Sequence, residues 1–241
     1  MIKRIFIVLA LILPGISFAR SHKHGRVPNH SKTAAVSDAA IDAATENASD
    51  SPSQEIEFKY RQIFEKNPEI NATALTRLLA YYDENLEKLH NKNYVTFVDF
   101  SLDSETPRMY LIDMRDGSQE KFLVAHGRGS DPKHTGRARL FSNKVNSYMS
   151  SLGIYDTEKE PYHGQHGISL RLRGLEKTNS AALDRGILIH SAEFVSPSIQ
   201  PLGRTQGCFA VEPSHIRDVI SKLSGGSLLM AWINPKLRSS K

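Results

Sequence analysis

Cys208 is the single cysteine of this 241-residue chain and closes the stretch Gly203-Arg204-Thr205-Gln206-Gly207-Cys208. His190, followed by Ser191, lies eighteen residues upstream at the end of the apolar run Gly186-Ile187-Leu188-Ile189. A free thiol, with a pKa near 8.5, is mostly protonated at neutral pH, whereas the thiolate is the species that attacks. An imidazole within reach can take that proton and return it to a leaving amine. The chemistry open to this pair is acyl transfer through a thioester. Gly207 allows the backbone a tight path beside a substrate carbonyl, with amide N–H groups aimed at it. Thiol redox exchange is disfavoured because there is no second cysteine for an internal disulfide. The bland alternative is an inert cysteine on a core strand.

For these groups to act together, 186–190 must lie near 206–211, and the surrounding pattern is that of short strands. Tyr94–Phe100, Arg108–Met114 and Lys121–Ala125 are mostly apolar and β-branched, with Thr106-Pro107 and Asp116-Gly117 as turns between them. Further strands are expected at Gly167–Leu172, Gly186–His190, Gln206–Val211 and Ser227–Ile233. Pro213–Leu223 reads as one helix, with Ile216, Val219, Ile220 and Leu223 inward and proline in its first turn. Many short strands with few intervening helices indicate a mainly β fold, an antiparallel sandwich or barrel. This unit is expected over 94–235, with 236–241 as a tail.

In front of it, Ile56, Tyr60, Ile63 and Phe64 recur at helical spacing, and Leu75, Leu78, Leu79, Tyr82, Leu86 and Leu89 form a second stripe. Asn71 is the expected N-cap of that second helix, and Asn91-Lys92-Asn93 ends the pattern. Residues 54–93 are thus a small helical segment. Residues 20–53 are poor in large apolar groups and read as a flexible spacer with a reach of about 30 Å. Residues 1–19 have the anatomy of a secretory signal peptide: Lys3 and Arg4, the apolar run Ile5–Leu13, then Ser17-Phe18-Ala19 before a cut. The run is too short for a membrane span, and no stable insertion is expected after cleavage. Export places the protein in the periplasm or cell-wall compartment.

The formal charge of +5 drops by two when Lys3 and Arg4 leave with the signal, so the mature chain is only mildly basic. No zinc-finger spacing or dense basic run supports nucleic-acid binding. His22, His24 and His30 lie in the spacer without a rigid further ligand, and the glycine-containing loop around His163 and His166 reads as a substrate-side loop or as plain solvation, so no metal is expected.

The order His190-Ser191, a spacer, then Thr205-Gln206-Gly207-Cys208 resembles the signature of the YkuD-type L,D-transpeptidase catalytic domain. That signature is a histidine, a comparable spacer, then Ser/Thr-His-Gly-Cys, a hydrophobic residue and Asn. Further landmarks resemble one branch of the family: His126-Gly127-Arg128-Gly129-Ser130, Phe141-Ser142-Asn143, Ser150-Ser151-Leu152-Gly153, Gly174-Leu175 and the Gly203-Arg204 lead. The resemblance implies an enzyme acting on peptidoglycan stem peptides; attachment of a protein amine to the wall is a further outcome that the sequence neither favours nor excludes. It assigns Cys208 as nucleophile, His190 as general base and Ser191 as the third member, whose backbone orients the histidine. It implies that Gly207 and Cys208 supply oxyanion-stabilising N–H groups, and it implies no cofactor.

Two residues depart from the signature. Gln206 stands where histidine is usual, able to donate a hydrogen bond but not to carry a proton charge, and Ala210 stands where Asn is usual. Arg204, Arg128, Arg137 and Arg139 are candidates to bind stem carboxylates, and Arg204 is preferred for its closeness to Cys208. His126 either lines the cleft or packs beneath it. The main expectation is transfer to an amine; an L,D-carboxypeptidase or other hydrolase on the same site, and a non-catalytic wall-binding protein, are the alternatives.

Overall fold

The computed structural model describes residues 50–239; the expected signal peptide and most of the spacer lie outside the described residues. Helices α1 (Asp50–Lys59), α2 (Arg61–Lys66) and α3 (Ala72–Glu84) come first. Ten strands follow: β1 (Tyr94–Asp99), β2 (Met109–Asp113), β3 (Gln119–Phe122), β4 (Val124–Ala125), β5 (Gly153–Thr157), β6 (Tyr162–Gly164), β7 (Gly167–Gly174), β8 (Leu188–Ser191), β9 (Phe209–Val211) and β10 (Leu228–Trp232). Helix α4 (Ile216–Leu223) lies between β9 and β10.

The strands form one sheet in the order β3-β2-β1-β10-β5-β7-β8-β9-β4, with β6 paired to β7. The strands at the two ends of this order, β3 and β4, are separated in sequence by Leu123 alone. The sheet therefore curls until its ends nearly meet, which is the barrel alternative of the expected β architecture. Most pairings are antiparallel; β1 with β10 and β8 with β9 run parallel. A parallel pair cannot be joined by a tight turn, and the long excursion 192–208 returns the chain to the starting end of β8 before β9 begins.

Alternation along the strands divides the apolar residues between two cores. Val98, Met109, Leu111, Leu229 and Ala231 face the barrel interior with Ile189, Phe209 and Val211, and α4 adds Ile216, Val219, Ile220 and Leu223. Val95, Phe97, Tyr110, Ile112, Leu228 and Met230 face the other way and pack against Leu75, Leu78, Leu79 and Tyr82 of α3. The front helices are thus a layer on the outside of the barrel wall. They share one compact unit with it.

Asn71 caps α3 as its position suggested, its side chain accepting the Ala74 N–H at 3.0 Å. The helix ends at Glu84, earlier than the leucine stripe implied, and Leu86 and Leu89 pack as turn residues. The Asp116-Gly117 turn is held against α2: buried Asn67 donates to the carbonyls of Ile63 at 2.7 Å and Gly117 at 2.9 Å. Strands β5 and β6 had no counterpart in the sequence reading, because Asp156 and the glycines and histidines of 162–167 break any apolar alternation.

Candidate active site

The parallel register of β8 and β9 sets Ile189 opposite Phe209 and His190 opposite Ala210. Continued by one residue, it sets Leu188 opposite Cys208. Ile189 and Phe209 point into the barrel core, so His190 and Cys208 project together from the opposite face. They stand on adjacent strands, two residues apart along the chain direction, or about 8 Å at the backbone. That is a distance an imidazole and a thiol can span between them.

His190 is buried, and its Nδ1 lies 2.8 Å from the carbonyl oxygen of Ser191. A carbonyl only accepts, so Nδ1 carries the proton and Nε2 is left as the basic nitrogen. Burial holds the imidazole below its usual pKa, with His166 adding to the effect and the Ser191 carbonyl opposing it. The ring is therefore neutral at pH 7. Ser191 enters through its backbone, and its hydroxyl points instead toward the His166 carbonyl at 3.5 Å.

Cys208 is half-buried, with Sγ 3.5 Å from the Gly186 carbonyl oxygen; among the described hydrogen bonds none joins it to His190. Burial pushes the thiol above its usual pKa, while the Leu188 N–H and the Arg185 guanidinium pull it down. The resting pair is thus a thiol and a neutral imidazole. Attack then requires a turn of the thiol from Gly186 toward Nε2 and proton transfer as the substrate is engaged.

The turn before the nucleophile is fixed by Thr205. Its Oγ1 accepts the Gly207 N–H at 3.0 Å and donates to the Cys208 carbonyl at 2.8 Å. The Gly207 N–H, expected to face the oxyanion, is already engaged, which leaves the Cys208 N–H as the main-chain candidate of the two. Gly207 has φ +127°, and a Cβ there would come within 2.8 Å of the Met149 carbonyl oxygen. Only glycine fits.

The other sequence landmarks converge on this turn. Ser150 Oγ lies 3.0 Å from the Gly127 N–H and 3.4 Å from the Gly207 carbonyl, and Ser130 Oγ accepts the Ser150 N–H at 2.9 Å. His126 packs beneath the site and is almost completely buried. Its Nδ1 accepts from the fully buried Arg108 guanidinium at 2.8 Å, and its Nε2 faces Asp131 at 3.6 Å. Burial, reinforced by the Arg108 charge, pulls His126 down to about 3 against the opposing pull of Asp131. The His126 carbonyl accepts the Thr205 N–H at 2.9 Å, tying this buried group to the nucleophile turn.

Of the four arginines considered for carboxylates, three are engaged. Arg204 donates to the carbonyls of Asp131 and Pro132, Arg137 pairs with Asp103 at 2.9 Å, and Arg139 donates to Ala138 O at 2.9 Å. The preferred Arg204 therefore braces the 131–132 loop. Arg128 has no carboxylate or carbonyl partner among the described contacts; its guanidinium lies over the Tyr148 ring at 4.0 Å. The Arg128 N–H bonds the Thr205 carbonyl at 2.8 Å, which sets it beside the catalytic turn. Tyr148 holds φ 53°, a strained conformation for an aromatic residue. Gln206 is exposed and makes no side-chain hydrogen bond among those described.

Sequence reasoning missed Arg185. Its guanidinium donates to Ser142 O at 2.9 Å, to Ser151 Oγ at 3.1 Å and to Met149 O, and lies against Gly207. No carboxylate pairs with it among the described residues, so its charge is available to a thiolate. The only signal in the sequence was its place just before the apolar run that ends at His190. Among the described residues no cluster of histidine, cysteine and carboxylate groups is arranged for a metal, and no helix is long and apolar enough to cross a membrane.

No curated protein matches the chain. Among solved structures it is similar to an L,D-transpeptidase from Mycobacterium smegmatis, with 14% identity, a TM-score of 0.37 and 58% of each chain covered. An L,D-transpeptidase from Mycobacterium tuberculosis H37Rv matches with 14% identity and a TM-score of 0.37, over 58% of this chain and 57% of that one. One from Stackebrandtia nassauensis matches with 13% identity and a TM-score of 0.36, over 73% and 76%. The chain thus spans less than two thirds of the two mycobacterial structures. The family model for the L,D-transpeptidase catalytic domain matches residues 66–232, from the second helix to the last strand, and the chain belongs to that family.

Proposed function

We propose that this protein is an exported cysteine acyltransferase that remodels peptidoglycan by L,D-transpeptidation. The observation that carries the reading is the common face of His190 and Cys208 on β8 and β9, with the base held in its Nε2-accepting tautomer by the Ser191 carbonyl. The donor is a tetrapeptide stem. Nε2 of His190 takes the thiol proton as Sγ of Cys208 attacks the carbonyl before the terminal D-alanine. The Cys208 N–H faces the developing oxyanion, and the Arg185 charge favours sulfur in its anionic form. Collapse breaks the peptide bond, the His190 proton passes to the D-alanine nitrogen, and a thioester remains. An acceptor amine then attacks the thioester, and the sulfur leaves and is reprotonated through His190.

Residues 94–235 carry this chemistry, 54–93 form the outer helical layer, and 1–19 direct export, with the intervening spacer giving reach within the wall. The acceptor is the side-chain amine of a neighbouring stem, or an amine of a wall-attached protein.

The test is incubation of the purified protein with disaccharide-tetrapeptides, followed by mass spectrometry of protein and products. The reading expects an acyl adduct on Cys208 and cross-linked dimers. Tripeptide alone would mark a hydrolase. Cys208→Ala and His190→Ala should each abolish turnover while leaving the fold intact; if both process stems like the parent, the catalytic assignment of these residues fails, and a parent that forms neither adduct nor product is a binder.

A further inference from the structure

The turn between β6 and β7 folds back over the catalytic histidine. His166 lies in that turn, exposed, and its ring stacks on His190 with centroids 4.3 Å apart and planes 24° from parallel. The placement follows from the sheet: Ser169 of β7 pairs with His190, and His163 of β6 pairs with Ile168, so the turn stands directly beside the base. The proposed reaction uses one imidazole, and the site contains two in contact.

A proton count gives the second one a task. An acceptor amine of lysine type reaches the thioester as an ammonium ion, because such amines titrate near 10.4. Becoming an amide costs it two protons. One returns to the sulfur through His190; the other must leave before the nitrogen can attack. His190 cannot hold both. Water attacking the same thioester has no such surplus, since one of its protons restores the thiol and the carboxylic acid forms directly.

We propose that His166 is the acceptor-side base: it takes the first proton from the incoming ammonium and passes it to solvent, while His190 handles the proton exchanged with Cys208. The inference rests on the transpeptidase reading above. Its observations are independent of that reading: the exposed ring, the stacked contact, and the lack of any carboxylate partner for His166 among the described residues. The facing titratable group on β8 is His190. On the hairpin itself the charged groups are His163, and Arg171 and Arg173, which pair with Glu158 and Asp156. Imidazole is the one side chain that exchanges protons readily near neutral pH, and a solvent-exposed ring can discharge to bulk water. The proton balance closes with no further reactant: ammonium and thioester give amide, thiol and one proton released through His166.

The experiment is a partition measurement. Parent, His166→Phe and His166→Gln are acylated with a disaccharide-tetrapeptide, and the adduct on Cys208 is followed by mass as it divides between water and added amines. A lysine-type amine and a weakly basic N-alkoxyamine serve as acceptors. His166→Phe keeps an aromatic ring over His190 but takes no proton. The transfer-to-hydrolysis ratio with the basic amine should fall at least about tenfold in both variants. With the alkoxyamine, already neutral, it should stay near the parent value, and raising the pH should restore transfer to the basic amine. If His166→Phe keeps the parent ratio with the basic amine, or if both amines are affected alike, His166 only positions His190 and the proposal falls. Failure of the parent to form any adduct strikes the transpeptidase reading instead, so the two failures are distinguishable.

Discussion

Thr205 and Cys208 form a closed hydrogen-bonded loop: the threonine hydroxyl donates to the cysteine carbonyl at 2.8 Å while accepting the intervening Gly207 N–H at 3.0 Å. One oxygen therefore fixes the conformation that presents the nucleophile. Thr205→Val keeps the shape and deletes both bonds, leaving the buried Gly207 N–H without its partner at a cost of about 1–3 kcal/mol. A lower unfolding temperature and a fall in stem turnover are expected, with Thr205→Ser recovering most of both. Thermal unfolding and product analysis read these out; parental turnover in the valine variant would show that the hydroxyl does not hold the turn.

Arg185 should set the reactivity of the thiol. Burial raises the Cys208 pKa and the guanidinium lowers it, so removing the charge should raise it further. In Arg185→Met, the pH profile of Cys208 alkylation by iodoacetamide should move upward. Arg185→Lys should move it less. A profile that does not shift would mean the charge is spent on the carbonyls of Ser142 and Met149.

In the proposed mechanism the acid limb of catalysis belongs to His190. The reaction needs the neutral ring, and burial disfavours the imidazolium, so activity should persist as pH falls past the ordinary imidazole value near 6.5. The rate of Cys208 acylation measured from pH 5 to 8 should show its inflection below 6.5. An inflection above that value would mean that the imidazolium is stabilised in the working enzyme.

Stability should also depend on acidity, through His126. Unfolded, this ring binds a proton near pH 6.5; folded, only near 3. Between those values the unfolded chain holds more protons, so stability falls as pH falls through the window, by at most about 1.4 kcal/mol per unit from this group. Asp131, pushed up by burial but held below its usual range overall by the Thr135 and Gly136 amides and the Thr135 hydroxyl, adds a loss at lower pH. Urea midpoints across pH 4 to 7 test this. His126→Gln should have a flatter dependence than the parent, from a lower starting stability.

Among the described residues Arg128 has no carboxylate partner and lies beside the Thr205–Cys208 turn, and the stems of the proposed reaction carry carboxylates. Arg128→Ala should raise KM for stems several-fold with a smaller change in kcat, and the penalty should shrink for donors whose carboxylates are amidated. Equal penalties for acid and amide donors would remove Arg128 from the binding surface.

The sequence made His190 and Cys208 legible as candidates because each ends or opens a short, β-branched or aromatic apolar run flanked by turn residues, which favours a strand, and strands fix side-chain direction by parity. It did not reveal that β8 and β9 run parallel, although that register is what puts His190 and Cys208 on one face. Arg204 stands nearest in sequence, yet its guanidinium reaches loop carbonyls, while Arg128, eighty residues from Cys208, has no carboxylate or carbonyl partner among the described residues and lies beside the same turn. Arg185 went unread for the same reason, and the loop of His166 offered only the choice between a substrate-side loop and plain solvation. A lone arginine before an apolar run and a histidine in a glycine-containing turn acquire meaning only when the fold brings Gly207 and His190 against them. The glycine at 207 was read correctly as a tight approach, but the competing claim of Thr205 on its N–H is a side-chain bond that no periodicity encodes.

The near-closure of the sheet at Leu123 bears on how the molecule behaves in crowded company. Among the described residues the strands with an unpaired side are β3, β4 and β6, with four, two and three residues, and β3 carries Gln119, Glu120 and Lys121. Edges this short and polar are poor templates for a strand from another chain. The longer, apolar strands β1, β2 and β10 each have neighbours on both sides. The protein should therefore resist edge-to-edge aggregation at high local concentration, without a disulfide to hold its barrel shut.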